Sequence, residues 1–121
     1  MKIHKDLFVW QKSIALVKVI YEATASYPHA EQFGLTSQIR RSAVSIPSNI
    51  AEGCGRNSDK ELIQFLYIAL GSASELETQI IISVELGLLE KQNADLILIS
   101  INEIIRMVSS LIKSLKPELK K

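Results

Sequence analysis

One cysteine, two histidines, three prolines and five glycines in 121 residues leave little material for a covalent framework or a metal centre. A single Cys excludes an internal disulfide. There is no Glu-x-x-His pair of the di-iron bundle type, no Cys-x-x-Cys, and no Gly-rich loop ending in Gly-Lys-Ser/Thr. No metal, nucleotide or other cofactor is therefore expected. His4 and His29 both precede every Arg, which excludes the Arg-then-His spacing of many helical-bundle ribonucleases, and no catalytic residue is assigned. The longest run without a charge, Leu62 to Ser74, is 13 residues, short of the roughly 18–20 needed to cross a bilayer. The start, Met1-Lys2-Ile3-His4-Lys5-Asp6, holds no apolar signal core. These absences point to a soluble, cytoplasmic protein with no membrane contact and no enzymatic activity.

Charge is balanced overall, 14 Lys plus Arg against 13 Asp plus Glu, so any phosphate binding must come from local clustering. The balance is uneven along the chain: residues 1–60 carry +3, residues 61–103 carry −6 and residues 104–121 carry +4. The basic ends include Lys5, Lys12 and Lys18 and the tail Lys113, Lys116, Lys120 and Lys121. Head-to-tail assembly and nucleic-acid contact both suit this pattern, as does an ordinary solvated surface, and C-terminal lysines also complement a helix dipole.

What the sequence does have is aliphatic periodicity. Hydrophobic residues make up 47% of the chain, enough for one core in a single domain over residues 1–121. They recur at alternating spacings of four and three, the mark of amphipathic helices. In the first segment Trp10, Ile14, Val17 and Tyr21 form the stripe, widened by Leu7, Val9, Leu16 and Ile20, with an end near Ser26. Thr36 is the expected N-cap of a second helix with the stripe Ile39, Ala43, Ile46, Ile50, crossed by Pro47 and stopped by Gly53 and Gly55. Ser58 and Glu61 form a capping box ahead of Leu62, Leu66, Ala69, Ala73, Leu76, Ile80 and Val84, and Gly87 is the C-terminal cap. The last helix, from about Lys91, carries Ile97, Ile101, Ile104, Val108, Leu111 and Leu115 and should end at Pro117. Long helices joined by short turns predict an all-α, antiparallel up-down-up-down four-helix bundle. Ile63, Ile81, Ile82, Ile99 and Ile105 lie beside the main stripes, more apolar surface than one bundle seam buries; self-association is the simplest outlet, and a thick monomeric core is the alternative.

Helix two carries the most pointed chemistry. Gln38, Arg41, Ser42, Ser45, Ser48, Asn49, Glu52 and Arg56 share one side at 100° per residue. Small hydroxyls and an amide between two arginines let another backbone approach and offer donors to phosphate or carboxylate, so this side is an interface, a ligand face or plain solvated surface. Two charges fall on apolar sectors: Glu77 among Leu70, Ala73, Ile80 and Val84, and Arg40 between Pro47 and Ala51. A buried charge needs a partner, which predicts an Arg40–Glu77 ion pair between helices or between subunits; a catalytic carboxylate at Glu77 is the sharper alternative, with no base, nucleophile or metal-ligand cluster near it in sequence. Cys54, at a helix C-terminus, reads as an inert small residue. Trp10 and Tyr21 are spaced as core residues, and Tyr67, near Lys60, is the one aromatic that suggests a stacking platform.

The ordered motifs Leu7-Phe8-Val9-Trp10-Gln11-Lys12, Tyr27-Pro28, the long block from Phe33-Gly34 to Ala51-Glu52-Gly53, then Gly55-Arg56-Asn57-Ser58, Phe65-Leu66, Ala69-Leu70-Gly71-Ser72, Glu75-Leu76-Glu77-Thr78-Gln79 and Leu86-Gly87 resemble the bacterial four-helix-bundle proteins encoded in 23S rRNA intervening sequences. The resemblance implies a homo-oligomer, a pentameric barrel. It extends to the accessory proteins of diversity-generating retroelements, which bind nucleic acid and a reverse transcriptase, and so implies an RNA-associated scaffold. A purely structural, protein-binding assembly is the alternative. By motif position Arg40, Arg41, Ser45, Ser48, Asn49, Glu52, Arg56, Glu75 and Glu77 carry over as hallmark residues. For contact with structured RNA, or with a protein of an RNA-processing system, the candidates are Arg41, Arg56, Lys60, Lys12, Lys18, Lys113 and Lys116. For an ion pair or interface they are Arg40, Glu77, Ser45, Ser48, Asn49 and Glu52.

Overall fold

The computed structural model describes residues 3–119, with side chains placed for residues 3–116. Lys120 and Lys121 lie outside the described residues, as do Met1 and Lys2. Four helices follow in order: α1 (Phe8–Thr24), α2 (Leu35–Cys54), α3 (Asp59–Glu85) and α4 (Lys91–Leu119). Short 3-10 turns at His4–Asp6 and His29–Glu31 precede α1 and α2, and there is no strand among the described residues.

The aliphatic stripes of α2, α3 and α4 bury as their spacing requires. Ile39, Ile46, Ile50, Leu66, Leu76, Ile80, Ile101, Ile104 and Val108 are fully buried, with Ala43, Ala69, Ala73 and Ile97 beside them. Each large aliphatic removed from water in this way contributes about 1.5–3 kcal/mol. On α1 the phase differs from the expected one. The buried line is Val9, Ser13, Leu16, Ile20 and Thr24, while Ile14 and Tyr21 are exposed and Trp10 and Val17 are half-buried. Two hydroxyl residues sit in the core line because each spends its proton on its own helix: Ser13 Oγ donates to the Trp10 carbonyl and Thr24 Oγ1 to the Ile20 carbonyl, both at 2.8 Å. A satisfied hydroxyl costs little to bury.

The helix ends show how local chemistry sets the boundaries. Ser58 caps α3 by accepting from the Glu61 amide at 3.2 Å. Gly87, with φ of 74°, closes α3 in a Schellman arrangement: its N–H donates to the Val84 carbonyl and the Leu88 N–H to the Ser83 carbonyl. Thr36 is not the cap of α2. The N-cap is Gly34, Thr36 is buried inside the first turn, and the Glu31 carboxylate takes the Leu35 N–H instead. Gly53 does not stop α2 either; the helix runs through it and through Pro47 to Cys54. Pro117 likewise does not end α4, which runs to Leu119.

Each helix packs against two others: α1 on α2 and α4, and α3 on α2 and α4. The diagonal pairs α1–α3 and α2–α4 make no backbone approach among the described residues. The four stripes therefore converge on one four-helix-bundle core, and the α2–α3 seam is the most extensive of the four.

Candidate functional site

The α2–α3 seam owes its closeness to small residues. A Cβ added at Gly53 would lie 2.9 Å from Leu62 Cδ1 and from Phe65 Cβ, so only glycine lets these backbones meet there. One turn back along α2, Asn49 Nδ2 donates to the Ser45 carbonyl at 2.8 Å and to Ser45 Oγ at 2.9 Å. Ser45 Oγ then shares a 2.8 Å hydrogen bond with Ser72 Oγ of α3. Ser42 Oγ donates to Glu75 Oε1 at 3.2 Å. Ser42, Ser45 and Asn49 on the serine-rich side of α2 thus belong to an interface within the chain, while Gln38, Arg41, Ser48, Glu52 and Arg56 remain exposed.

Where the seam opens, Gln38, Arg41, Ser42, Ser45, Ser72, Glu75 and Gln79 line a polar groove of about 510 Å³. Arg41 and Glu75 share this groove without forming an ion pair. Gln79, only 8% exposed, places a buried amide oxygen there with no hydrogen-bond partner.

Arg40 turns the other way. Its guanidinium stands 4.4 Å over the centre of the Tyr21 ring, Nε donates to Thr24 Oγ1 at 2.9 Å, and Nη2 reaches the Tyr21 carbonyl at 3.3 Å. The expected ion pair with Glu77 is not formed within the chain. Arg40 is committed to α1, while Glu77 belongs to α3, whose backbone does not approach that of α1. Tyr21, expected in the core, is instead the exposed platform for this cation.

Two of the cationic candidates are held by carboxylates of their own. Arg56 is held by Glu52 at 2.9 Å and stacks 4.8 Å over the Phe65 ring. Lys12 pairs with Glu103 at 3.4 Å. Lys18 and Lys60 are exposed on α1 and at the start of α3. A grouping the sequence did not reveal joins Lys113 and Lys116 of α4 to Tyr67 of α3 around a cleft of about 170 Å³, with Lys116 Nζ 5.3 Å over the Tyr67 ring. Tyr67 thus partners the C-terminal lysines rather than Lys60, a pairing visible only once α3 and α4 are laid together.

A second groove, about 960 Å³, lies between the C-terminal half of α1 and the turn from α3 into α4. Val19, Ala23, Leu88, Leu89, Leu96 and Ile97 give it an apolar lining, and Glu22 and Glu90 stand at its edge. Val19 and Leu96 are 43% and 68% exposed, and Phe8, Phe33, Ile81, Ile82, Leu86 and Ile99 are also exposed large hydrophobics.

Burial pushes the Cys54 thiol and the Tyr27 phenol above their ordinary values, the latter offset in part by Ser83. The Tyr27 hydroxyl has no hydrogen-bond partner, and Ser83 Oγ donates to the Gln79 carbonyl at 3.0 Å. Among the described residues no three His, Cys, Asp or Glu side chains gather as a metal-holding group, and no helix is long and apolar enough to cross a membrane.

No curated protein matches the chain. A crystal structure of a protein of unknown function from the S23 ribosomal protein family of Bacteroides thetaiotaomicron VPI-5482, at 1.70 Å resolution, superposes with a TM-score of 0.78 at 28% identity, covering 87% of this chain and 98% of that one. The sequence profile of the 23S rRNA-intervening sequence proteins matches residues 5–110. With that span taking in all of α1, α2 and α3 and most of α4, the chain belongs to the 23S rRNA-intervening sequence protein family.

Proposed function

We propose that this protein is a non-enzymatic scaffold that works in the cytoplasm as a homo-oligomer, a pentameric ring of up-down-up-down antiparallel bundles. The antiparallel course is supported by the pairing of ends: Arg40 with Thr24, Ser42 with Glu75, Arg56 with Phe65 and Tyr67 with Lys116. The observation that carries the oligomer is the apolar groove holding Val19 and Leu96 at 43% and 68% exposure. Large aliphatics left open in a groove are residues that association would cover. Its acidic edge, Glu22 and Glu90, complements the basic ends of the chain, which favours a heterologous contact, and such contacts close into rings. Light scattering on the purified protein tests this: the reading requires the mass of five chains, and a monomer at tens of micromolar defeats it.

A second reading, contact with structured RNA, is favoured by one observation, the grouping of Lys113 and Lys116 with the half-exposed Tyr67. Two cations beside an aromatic face suit phosphate and base together. Anisotropy titration against an rRNA-like hairpin at several salt concentrations tests it. Binding should weaken steeply with salt, and Lys113→Ala with Lys116→Ala should reduce the slope by about two phosphate contacts. Absence of binding at low salt leaves the protein scaffold alone.

A further inference from the structure

The polar groove between α2 and α3 has a chemistry of its own. It contains one cation and one anion, Arg41 and Glu75, both exposed and not paired with each other. Between them stand Ser42, Ser45 and Ser72, and beneath lies the Gln79 amide oxygen, nine-tenths buried and without a donor. A buried acceptor left unpaired is costly, and the cost is removed when an N–H is brought to it. Glu75 has one oxygen engaged by Ser42 and a second available for a donor. Arg41 presents a planar fork suited to a carboxylate. The groove therefore asks for one molecule that carries a carboxylate at one end and several N–H donors a few bonds away. Its volume of about 510 Å³ is within the range of small-ligand sites, and its polar lining departs from the apolar norm in the direction a highly charged ligand requires.

We infer that this groove binds a free α-amino acid as its zwitterion, the carboxylate on Arg41 and the ammonium on Glu75, and that the Gln79 amide oxygen, which has almost no accessible surface in this structure, is uncovered to share the ammonium. The serine hydroxyls complete the contacts, and Gln38 at the rim faces the amino acid's side chain. The inference is independent of the oligomer, because every residue invoked belongs to one chain.

The test is a thermal-shift panel of the twenty L-amino acids followed by titration calorimetry on the full chain. At least one amino acid should raise Tm by about 3 °C at concentrations well above its Kd and bind once per chain. Its N-acetyl and carboxamide derivatives, each missing one charge, should fail to bind. Arg41→Ala and Glu75→Gln, both at exposed positions, should each weaken binding by about tenfold or more while leaving the unliganded Tm unchanged. If no amino acid shifts Tm, or if binding survives both substitutions, the inference is overturned.

Discussion

The Arg40 guanidinium lies 4.4 Å over the Tyr21 ring, and its Nε hydrogen-bonds Thr24 Oγ1 at 2.9 Å, so one cation ties the start of α2 to the end of α1. The same threonine hydroxyl donates to the Ile20 carbonyl, which makes it donor and acceptor at once and leaves it satisfied in the core. Arg40→Ala removes the stack and the hydrogen bond together and should cost about 1–2 kcal/mol in urea denaturation. Arg40→Lys should recover less than half, because an ammonium cannot stack its plane on the ring and reach Thr24 as well. Glu77→Gln should change stability by less than about 0.5 kcal/mol. A Glu77 effect as large as that of Arg40→Ala would restore the pair between these two residues, formed across subunits.

Gly53 and Gly71 make a controlled comparison. Both lie inside helices, where alanine is favoured over glycine by up to about 1 kcal/mol. At Gly71 a new Cβ meets nothing within 4 Å, whereas at Gly53 it meets Leu62 and the Cβ of Phe65 at 2.9 Å. A Cβ is fixed by the backbone, so relief requires α2 and α3 to move apart. Gly71→Ala should therefore raise stability by about 0.5–1 kcal/mol, and Gly53→Ala should lower it by about 1–2 kcal/mol despite the better helix former. Thermal melts resolve the two signs directly.

These residues also show what the sequence could tell. The stripes of α2, α3 and α4 were legible because aliphatics occupy nearly every core position. The phase of α1 was not, because Ser13 and Thr24 occupy two core positions and hide their polarity in hydrogen bonds to their own helix. Gly87 was legible as a cap because the left-handed backbone there needs glycine. Gly53 resembles a stop in sequence alone, since its real reason, the approach of Leu62 and Phe65, lies on another helix. The serine side of α2 was recognised as unusual, but its division into an internal seam and an open groove depends on Ser72, Glu75 and Gln79 of α3. Arg40 and Tyr67 are paired in the sequence with Glu77 and Lys60 rather than with their true neighbours for the same reason: Tyr21 and Lys116 become neighbours only in the packed bundle.

The Tyr27 hydroxyl is buried without a hydrogen-bond partner, and burial holds its phenol protonated above the usual value of 10.0. At neutral pH, Tyr27→Phe removes an unsatisfied group and little else, so stability should stay level or rise by up to about 1 kcal/mol. At high pH the sign is fixed by linkage. The unfolded chain loses this proton first, so the contribution of Tyr27 is complete below about pH 10 and is lost as pH rises from there through the folded-state value. Urea melts across alkaline pH should show the wild type losing stability more steeply than Tyr27→Phe. Equal slopes would mean that the phenol is solvated.

The apolar groove and its acidic edge contribute differently to assembly. Leu96 and Val19 supply area, and burying a side chain of this size contributes about 1.5–3 kcal/mol. Leu96→Lys exchanges that gain for a charge that must be desolvated, so the variant should run as a smaller species in light scattering while its own melt stays cooperative, because Leu96 lies outside the core. Glu90 and Glu22 act through charge in contact with solvent, where attraction is screened over about 8–10 Å at ordinary ionic strength. Glu90→Lys should therefore slow association, and added salt should slow the wild type in the same way, with the final mass retained in both cases. If Leu96→Lys assembles normally and Glu90→Lys does not, the contact is electrostatic and the groove lies outside it. If both assemble normally, the oligomer is built on another face, for which Ile81, Ile82 and Ile99 are the exposed aliphatics to substitute next.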